Sequence, residues 1–300
     1  MKPSASQYKL EDLYEVAGFS RQGHHKYMKE RVKEEAEEQL TINAILEIRA
    51  IHPQMGIKKI YKLMSPDWIG RDRFMSIGVS HGLAVKQVKN FHRTTFSCKS
   101  AWFTNLTAGL ALSGINQVWV SDITYFRIGD RFYYLIFIED VYSRRILGWT
   151  ASTNLRAEAN CNALKMALTE REGYDMRGLI HHSDRGTQYA SDAYLKILSG
   201  NKVAVSMCDN VYENTHIERV NGIIKNEYLQ FYNISTFEEL KRRLDRVIKI
   251  YNYERPSWSL GFKTPVGYEE ELKCIPTSDR KLLKLFSFEK EIFVQQTFFN

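Results

Sequence analysis

The sequence predicts an α/β protein: a mixed five-stranded sheet with flanking helices, preceded by an all-α N-terminal region. Three observations lead there. Residues 8–90 carry apolar side chains at helical spacing. At Asn116 the texture changes to three runs of β-forming residues, the first two joined across Gly129–Asp130, a hairpin dipeptide. From about residue 155 helical and extended patterns alternate. Three antiparallel strands that lead into parallel βα units build a mixed sheet with helices on its faces.

Each element has its own signal. "KLEDLYEVAG" puts Leu10, Leu13, Val16 and Ala17 at helical spacing, and Gly18 breaks the pattern. Ser20 can cap a second helix to about Arg31, and "EEAEEQLTINAILEIRAIHP" continues as helix until Pro53. Helix, short Gly-containing turn, second helix is the helix-turn-helix plan. In it Arg21, Gln22, His24, His25 and Lys26 lie where base-reading side chains sit, although a plain helical hairpin fits equally. "GIKKIYKLM" is a short basic helix with Ile57, Ile60, Tyr61 and Met64 on one side, and "GRDRFMSIGVSHGLAVKQV" is a less regular third pattern. Residues from about 90 to 114 have no period and read as a linker.

The core follows in order. "QVWVSDITYFRI", "RFYYLIFIEDVY" and "RRILGWTAS" are strands, and "LRAEANCNALKMALTERE" is an amphipathic helix. "GLIHHSD" is a strand, "SDAYLKIL" a helix and "KVAVSM" a strand. "NTHIERVNGIIKNEYLQFY" is a helix with Ile217, Val220, Ile224 and Tyr228 as its buried stripe. "STFEELKRRLDRVIKIYNYERP" is a helix opened by a capping box of Ser235 with Glu238 and stopped by Pro256.

Composition narrows the function. A net charge of +7 points weakly to a polyanionic partner, and its distribution says more. From Arg73 to Ser121 there is no Asp or Glu, while Lys86, Lys89, Arg93 and Lys99 interleave with Phe91, Phe96, Trp102 and Phe103. That stretch is either a solvated linker or a segment lying along phosphates. The four cysteines are scattered without a CxxC pair, which argues against a disulfide framework and a zinc site. No apolar run approaches the roughly 20 residues that span a bilayer, and the N-terminus lacks a signal-peptide core. The expected compartment is therefore the cytoplasm.

Three acids stand out. Asp122 interrupts the first strand, where Asp is disfavoured. Asp184 ends the fourth strand, and Glu218 lies near the start of the helix after the fifth. The 33 residues between Asp184 and Glu218 suffice for the chain to return to the same end of the sheet. Taken singly, each has a structural reading that is the better one: Asp122 as an outward strand residue, Asp184 as a turn cap, and Glu218 as a surface acid. Asn221, Gly222 and Lys225 follow Glu218 on one helical face, where Lys225 is either solvated or meets a phosphate. Asp140, beside Glu139, reads as structural, paired near Arg144 or Arg145.

"WVSDITY", "HHSDRGTQY" and "YENTHIERVNGIIKNE" resemble, in order, the three motifs of the DDE transposase and retroviral integrase superfamily. The chain resembles most the OrfB subunit of bacterial insertion sequences whose gene is split into two overlapping frames. "EDVYSRRILGW", "YNYERPSWSLGFKTPVGY" and the N-terminal "LYEVAGFSRQGHHKYMKER" resemble further family segments, so the likeness runs over roughly residues 8–270. Trp258 stands where the family usually has His, and "HIERVNG" replaces a commoner "MESFFG".

The resemblance implies an RNase H-like core in which Asp122, Asp184 and Glu218 hold two Mg²⁺ ions, with Mn²⁺ able to substitute. It implies strand cleavage and 3′-OH transfer at element ends. The DNA partners are then the terminal inverted repeats and the target duplex, with Asn221, Lys225, Arg21, Lys26, Lys86, Lys89 and Arg93 as candidate contacts. The first-frame OrfA product, or a frameshifted fusion with it, is an implied partner. A homo-oligomer on DNA at the bacterial nucleoid is implied too, with no membrane role. The expected organisation is a helical DNA-binding region over residues 1–100 with a basic linker to about 114, a catalytic core over 115–275, and a tail of unassigned role over 276–300. A silent, DNA-binding relative that represses, and an RNase H-like nuclease that cuts without joining, remain as alternatives.

Overall fold

The computed structural model describes residues 10–18, 20–85, 103–208 and 215–285. It divides into two compact units, residues 1–88 and 89–300.

The first unit is helical. Helix α1 (Leu10–Val16) is followed by Gly18, which takes the left-handed conformation at φ +70°. Helix α2 (Arg21–Ile51) opens on Ser20, whose hydroxyl accepts from the Gly23 amide at 3.0 Å. It runs unbroken through Arg31, as the continuous pattern to Pro53 requires. Helices α3 (Ile57–Met64) and α4 (Arg71–Ser80) pack Ile57, Ile60 and Phe74 against Ile45 of α2 in a small core. The helix of the third pattern ends at Ser80, and residues 81–85 after it are not helical.

The second unit begins its described part with β1 (Ala111–Leu112). Strands β2 (Val118–Ile128) and β3 (Arg131–Asp140) form a hairpin in which Ile128 pairs with Arg131, and Gly129 takes φ +56° in the two-residue turn. Strand β4 (Ile146–Ser152) pairs antiparallel with β3. Helix α5 (Ala157–Glu170), β5 (Ile180–Ser183), α6 (Asp192–Gly200) and β6 (Ala204–Met207) follow as βα units. The sheet order is β4-β3-β2-β5-β6, with β5 and β6 parallel to β2. This is the mixed, RNase H-like sheet expected from the sequence.

Helix α7 (Thr215–Gly222) continues into a π-helical stretch, Ile223–Tyr228, and a 3₁₀ turn, Leu229–Phe231. Helices α8 (Phe237–Tyr253) and α9 (Pro265–Leu272) precede β7 (Leu283–Lys284). The cap of α8 lies one residue later than the sequence suggested. Thr236 accepts from the Glu239 amide at 3.1 Å, and the Glu239 carboxylate accepts from the Ser235 amide at 3.1 Å. Strand β7, from the expected tail, pairs antiparallel with β1, from the expected linker.

Strand parity sorts the core into two layers. Val118 and Val120 of β2 join Leu135 and Phe137 under Ile217, Val220 and Ile224 of the α7 region and Leu244 and Val247 of α8. Trp119, with Ile136 and Ile138, faces Ala163, Leu164 and Ala167 of α5 and Tyr194 and Leu198 of α6. On that second face Gly148 brings β4 against α5. A Cβ there would sit 2.0 Å from the Ala163 carbonyl oxygen, which is backbone and cannot swing aside. Gly148→Ala is expected to cost about 3 kcal/mol, the upper end for overpacking. Urea melts measure it, and an unchanged midpoint would show that α5 is free to move.

Beyond the sheet, Arg171, buried at the end of α5, donates to Glu269 of α9 at 2.9 Å, and Arg145 donates to the same carboxylate at 2.7 Å. One acid thus ties α9 to α5 and to the β3–β4 turn.

Candidate active site

The two aspartates are brought together by register. Parallel pairing of β2 with β5 runs from Val118 opposite Ile180 to Ser121 opposite Ser183. The next residues along these neighbouring strands are Asp122 and Asp184. Matched positions on parallel strands point to one side, and Asp122 shares its parity with Val118 and Val120. Its side is therefore the layer roofed by α7, the helix that carries Glu218. Asp184 lies at the carboxyl end of β5, the edge of a parallel sheet where ligands gather.

The electrostatics match this crowding. The Asp122 carboxyl is pushed up to about 8, first by burial, then by the charge of Asp184, with a smaller push from Glu218. The Ile123 and Asn221 amides pull it the other way. Burial raises Asp184, opposed by the Gly186 amide, which donates to its Oδ1 at 3.1 Å. Glu218, on the exposed face of α7, is raised by partial desolvation. Lys225 is half-buried and lowered by desolvation, opposed by the charge of Asp122. It lies within the π-helical stretch, a form found as single turns at functional sites.

Asn221 occupies a place its spacing did not suggest. It is only 5% exposed, and its Nδ2 donates to Asp122 Oδ2 at 2.7 Å. The sequence put it on an open face with Glu218. Instead it reaches down and orients the first aspartate. Three neighbours were not singled out by sequence. Ser121 Oγ and Tyr189 Oη lie 3.0 Å apart in the layer beneath the aspartates. The Tyr125 phenol is raised by burial and by the nearby Tyr134, with smaller contributions from Asp122 and Asp184. A polar Ser at a core position of β2 was the available signal for the first pair. Tyr125 reads like any aromatic strand residue.

Other expected residues lie elsewhere. Arg21 and Lys26 are exposed at the start of α2, and His24 between them packs against Tyr14 at a ring separation of 5.1 Å. Lys86, Lys89 and Arg93 lie outside the described residues, as do residues 209–214 before α7. His181 bonds Tyr194 Oη at 2.8 Å and His182 bonds Ser206 Oγ at 2.9 Å, both inside the core.

Asp140 is structural, but not through the arginines named from sequence. Its Oδ2 accepts from the Asn116 amide at 2.6 Å. Its Oδ1 accepts from the Tyr142 and Ser143 amides, each at 3.0 Å. Arg145 turns to Glu269 and Glu170, while Arg144 lies 4.0 Å from Glu139. Glu139 is fully buried and pushed up to about 8, by burial above all.

Among the described residues no group of three His, Cys, Asp or Glu side chains closes round a metal ion as placed. The acids that act on one another here, Asp122 with Asp184 and Glu218, are all carboxylates, and their mutual repulsion is what a bound cation would relieve. The chemistry of this set fits a hard divalent cation with oxygen ligands.

Comparison with known proteins adds a second line. The integrase core domain family matches residues 113–211, and a second integrase core domain family matches residues 204–265. An uncharacterized 31 kDa protein of insertion element IS600 from Shigella sonnei is 32% identical over 272 residues, covering 86% of this chain and 98% of that protein. A putative transposase for insertion sequence element IS986/IS6110 from Mycobacterium tuberculosis is 31% identical over 51% of this chain and 58% of its own length. Transposase InsF for insertion sequence IS3A of Escherichia coli is 33% identical over 53% of this chain and 56% of its own length. The HTLV-2 integrase catalytic core domain, solved in complex with magnesium, aligns with a TM-score of 0.43 at 18% identity, over 52% of this chain and 97% of that one.

Proposed function

We propose a reaction scheme for a chain that belongs to the family of insertion-sequence transposases with an integrase core domain. It is a DDE-type transposase, a polynucleotidyl transferase of insertion-sequence DNA. In our reading it cuts strands at the terminal inverted repeats and joins the freed 3′-OH to a target phosphodiester. Asp122 and Asp184 would hold the metal from the sheet, and Glu218 would complete the ligand set from α7. Two Mg²⁺ ions, or Mn²⁺ in their place, would supply Lewis-acid stabilisation of the charge that develops at the reacting phosphodiester.

The chain's own side chains do the rest. Asn221 fixes the Asp122 carboxylate by its 2.7 Å hydrogen bond. Tyr189 and Ser121 brace the strand beneath. Lys225, drawn to Asp122, is available to a backbone phosphate once that carboxylate is engaged. Arg21, Lys26 and the basic stretch containing Lys86, Lys89 and Arg93 contact duplex DNA. The work takes place at the bacterial nucleoid, with the OrfA product or as a fusion to it, and with more than one copy on the DNA. The observation that carries this reading is the register match of Asp122 and Asp184 opposite α7.

Metal titration tests it. Mg²⁺ or Mn²⁺ at about 100 times its Kd is expected to add about 2.7 kcal/mol to stability, about 5–10 °C in Tm for a protein of this size. EDTA is expected to abolish cleavage of labelled element ends. Stoichiometric zinc, with activity lost on its removal, would overturn the ligand assignment. Cleavage without joining would favour the nuclease, and binding without cleavage the repressor.

A further inference from the structure

Helix α2 is far longer than its packing needs. Its buried residues, Thr41, Ala44 and Ile45, line one side of its second half. The opposite side carries Val32, Ala36, Gln39, Asn43, Leu46 and Ala50, all exposed, with Val32 at 63% and Leu46 at 51%. Their spacing alternates four and three residues, which is the seam of a coiled coil rather than the face of a solvated helix. Leu40, 53% exposed, and Ile42 flank the seam. Lys33 and Glu47 lie on Leu40's flank, and Glu35 and Arg49 on the other.

We propose that this seam pairs with the same seam of a second copy of the chain, antiparallel, about a two-fold axis at the level of residue 41. Antiparallel pairing sets like flanks against each other. Lys33 then meets Glu47 of the partner subunit, and Glu35 meets Arg49 of the partner subunit, each pair occurring twice by symmetry. At the axis, Leu40 and Ile42 meet their own counterparts. Ala36 faces the partner's Leu46, and Val32 faces the partner's Ala50, so a small residue opposes a larger one in each outer layer. Gln39 faces the partner's Asn43 in a polar layer that fixes register. Parallel pairing offers none of this charge matching, since Lys33, Glu35 and Glu47 would then meet Met28, Leu40 and Ile42, and Arg49 would face a position beyond the helix end. Charge complementarity therefore selects both the occupant and its direction.

Some groups are already arranged for the contact. Gln39 Nε2 donates to Asn43 Oδ1 at 2.9 Å along the seam. The Arg49 guanidinium is held at the flank by the Met55 carbonyl at 3.2 Å. The axis at residue 41 leaves the two Arg21 ends pointing apart, about 60 Å from each other at 1.5 Å per residue. One dimer then offers two separated N-terminal helix ends, independently of the catalytic assignment above.

Sedimentation of the full chain without DNA, over a range of concentrations, tests this with charge reversals. The wild type is expected to form dimers. Glu47→Lys sets like charges together twice and is expected to weaken association about tenfold. The double reversal Lys33→Glu with Glu47→Lys is expected to restore it, with unchanged helical circular dichroism throughout. A chain that stays monomeric to about 100 µM overturns the proposal, and so does a dimer indifferent to Glu47→Lys. Association of the seam with the OrfA product alone would also overturn it, and would assign the face to that partner.

Discussion

Asp122→Asn, Asp184→Asn and Glu218→Gln are each expected to abolish strand cleavage and strand transfer, by on the order of 10³-fold or more, while the chain stays folded. Each substitution keeps shape and removes one negative charge from a set of carboxylates proposed to hold the metal. The metal-free protein should respond in the opposite sense. Folded Asp122 is pushed up to about 8, while unfolded it titrates near its ordinary value of 3.8. Between those values the native state holds a proton that the unfolded state has lost. The stability it contributes is fully present below the lower value and is lost as pH rises through the upper one. Asp122→Asn is uncharged throughout and escapes that loss. Without metal it should melt above wild type at pH 8, and the gap should narrow as the pH falls. Added Mg²⁺ should raise the wild type more than the variant. Thermal melts with and without metal, beside a strand-transfer assay, read both effects. Wild-type turnover in Glu218→Gln would move the third ligand to Glu213. Glu227 is a weaker substitute, since Arg255 already holds both its oxygens at 2.8–3.0 Å.

Asp140→Ala is expected to do the reverse, costing stability and sparing chemistry. Its carboxylate caps three buried backbone amides, those of Asn116, Tyr142 and Ser143. A buried amide without a partner costs about 1–3 kcal/mol, so the loss should reach about 3–5 kcal/mol, in the range that marks a broken buried network. That corresponds to about 10 °C or more in Tm. Asp140→Asn keeps one acceptor oxygen and should cost less. Below their melting points both variants should retain strand transfer per folded molecule. An Asp140→Asn protein that melts like wild type yet fails to join strands would make this acid part of the reaction.

The strands and most helices were legible because their signals are local. β-branched runs, the Gly129–Asp130 turn and the apolar stripe from Ile217 to Tyr228 depend on neighbours in sequence. The three acids were legible as residues out of place, above all an Asp inside a strand. Their meeting rested on the family resemblance and not on local pattern, because parallel register is set by packing between segments far apart in the chain. Asn221 was misread for a related reason. Its spacing from Glu218 puts both on one side of α7, but nothing local says that this side dips towards Asp122. The cap of α8 was ambiguous from the start. Ser235 with Glu238 and Thr236 with Glu239 are overlapping boxes, and only the backbone decides between them. Strands β1 and β7 have two residues each and carry no periodicity to read.

The register of β5 against β2 also acts as a check on assembly. A slip of one residue would turn Asp184 to the opposite side of the sheet, into the layer of Trp119 and Tyr189. Asp122 would then have no partner acid across the strand pair. A chain folded with that error would lack the proposed ligand pair. For a transposase whose proposed ligands stand on two neighbouring strands, such an error removes the ligand pair without removing the sheet.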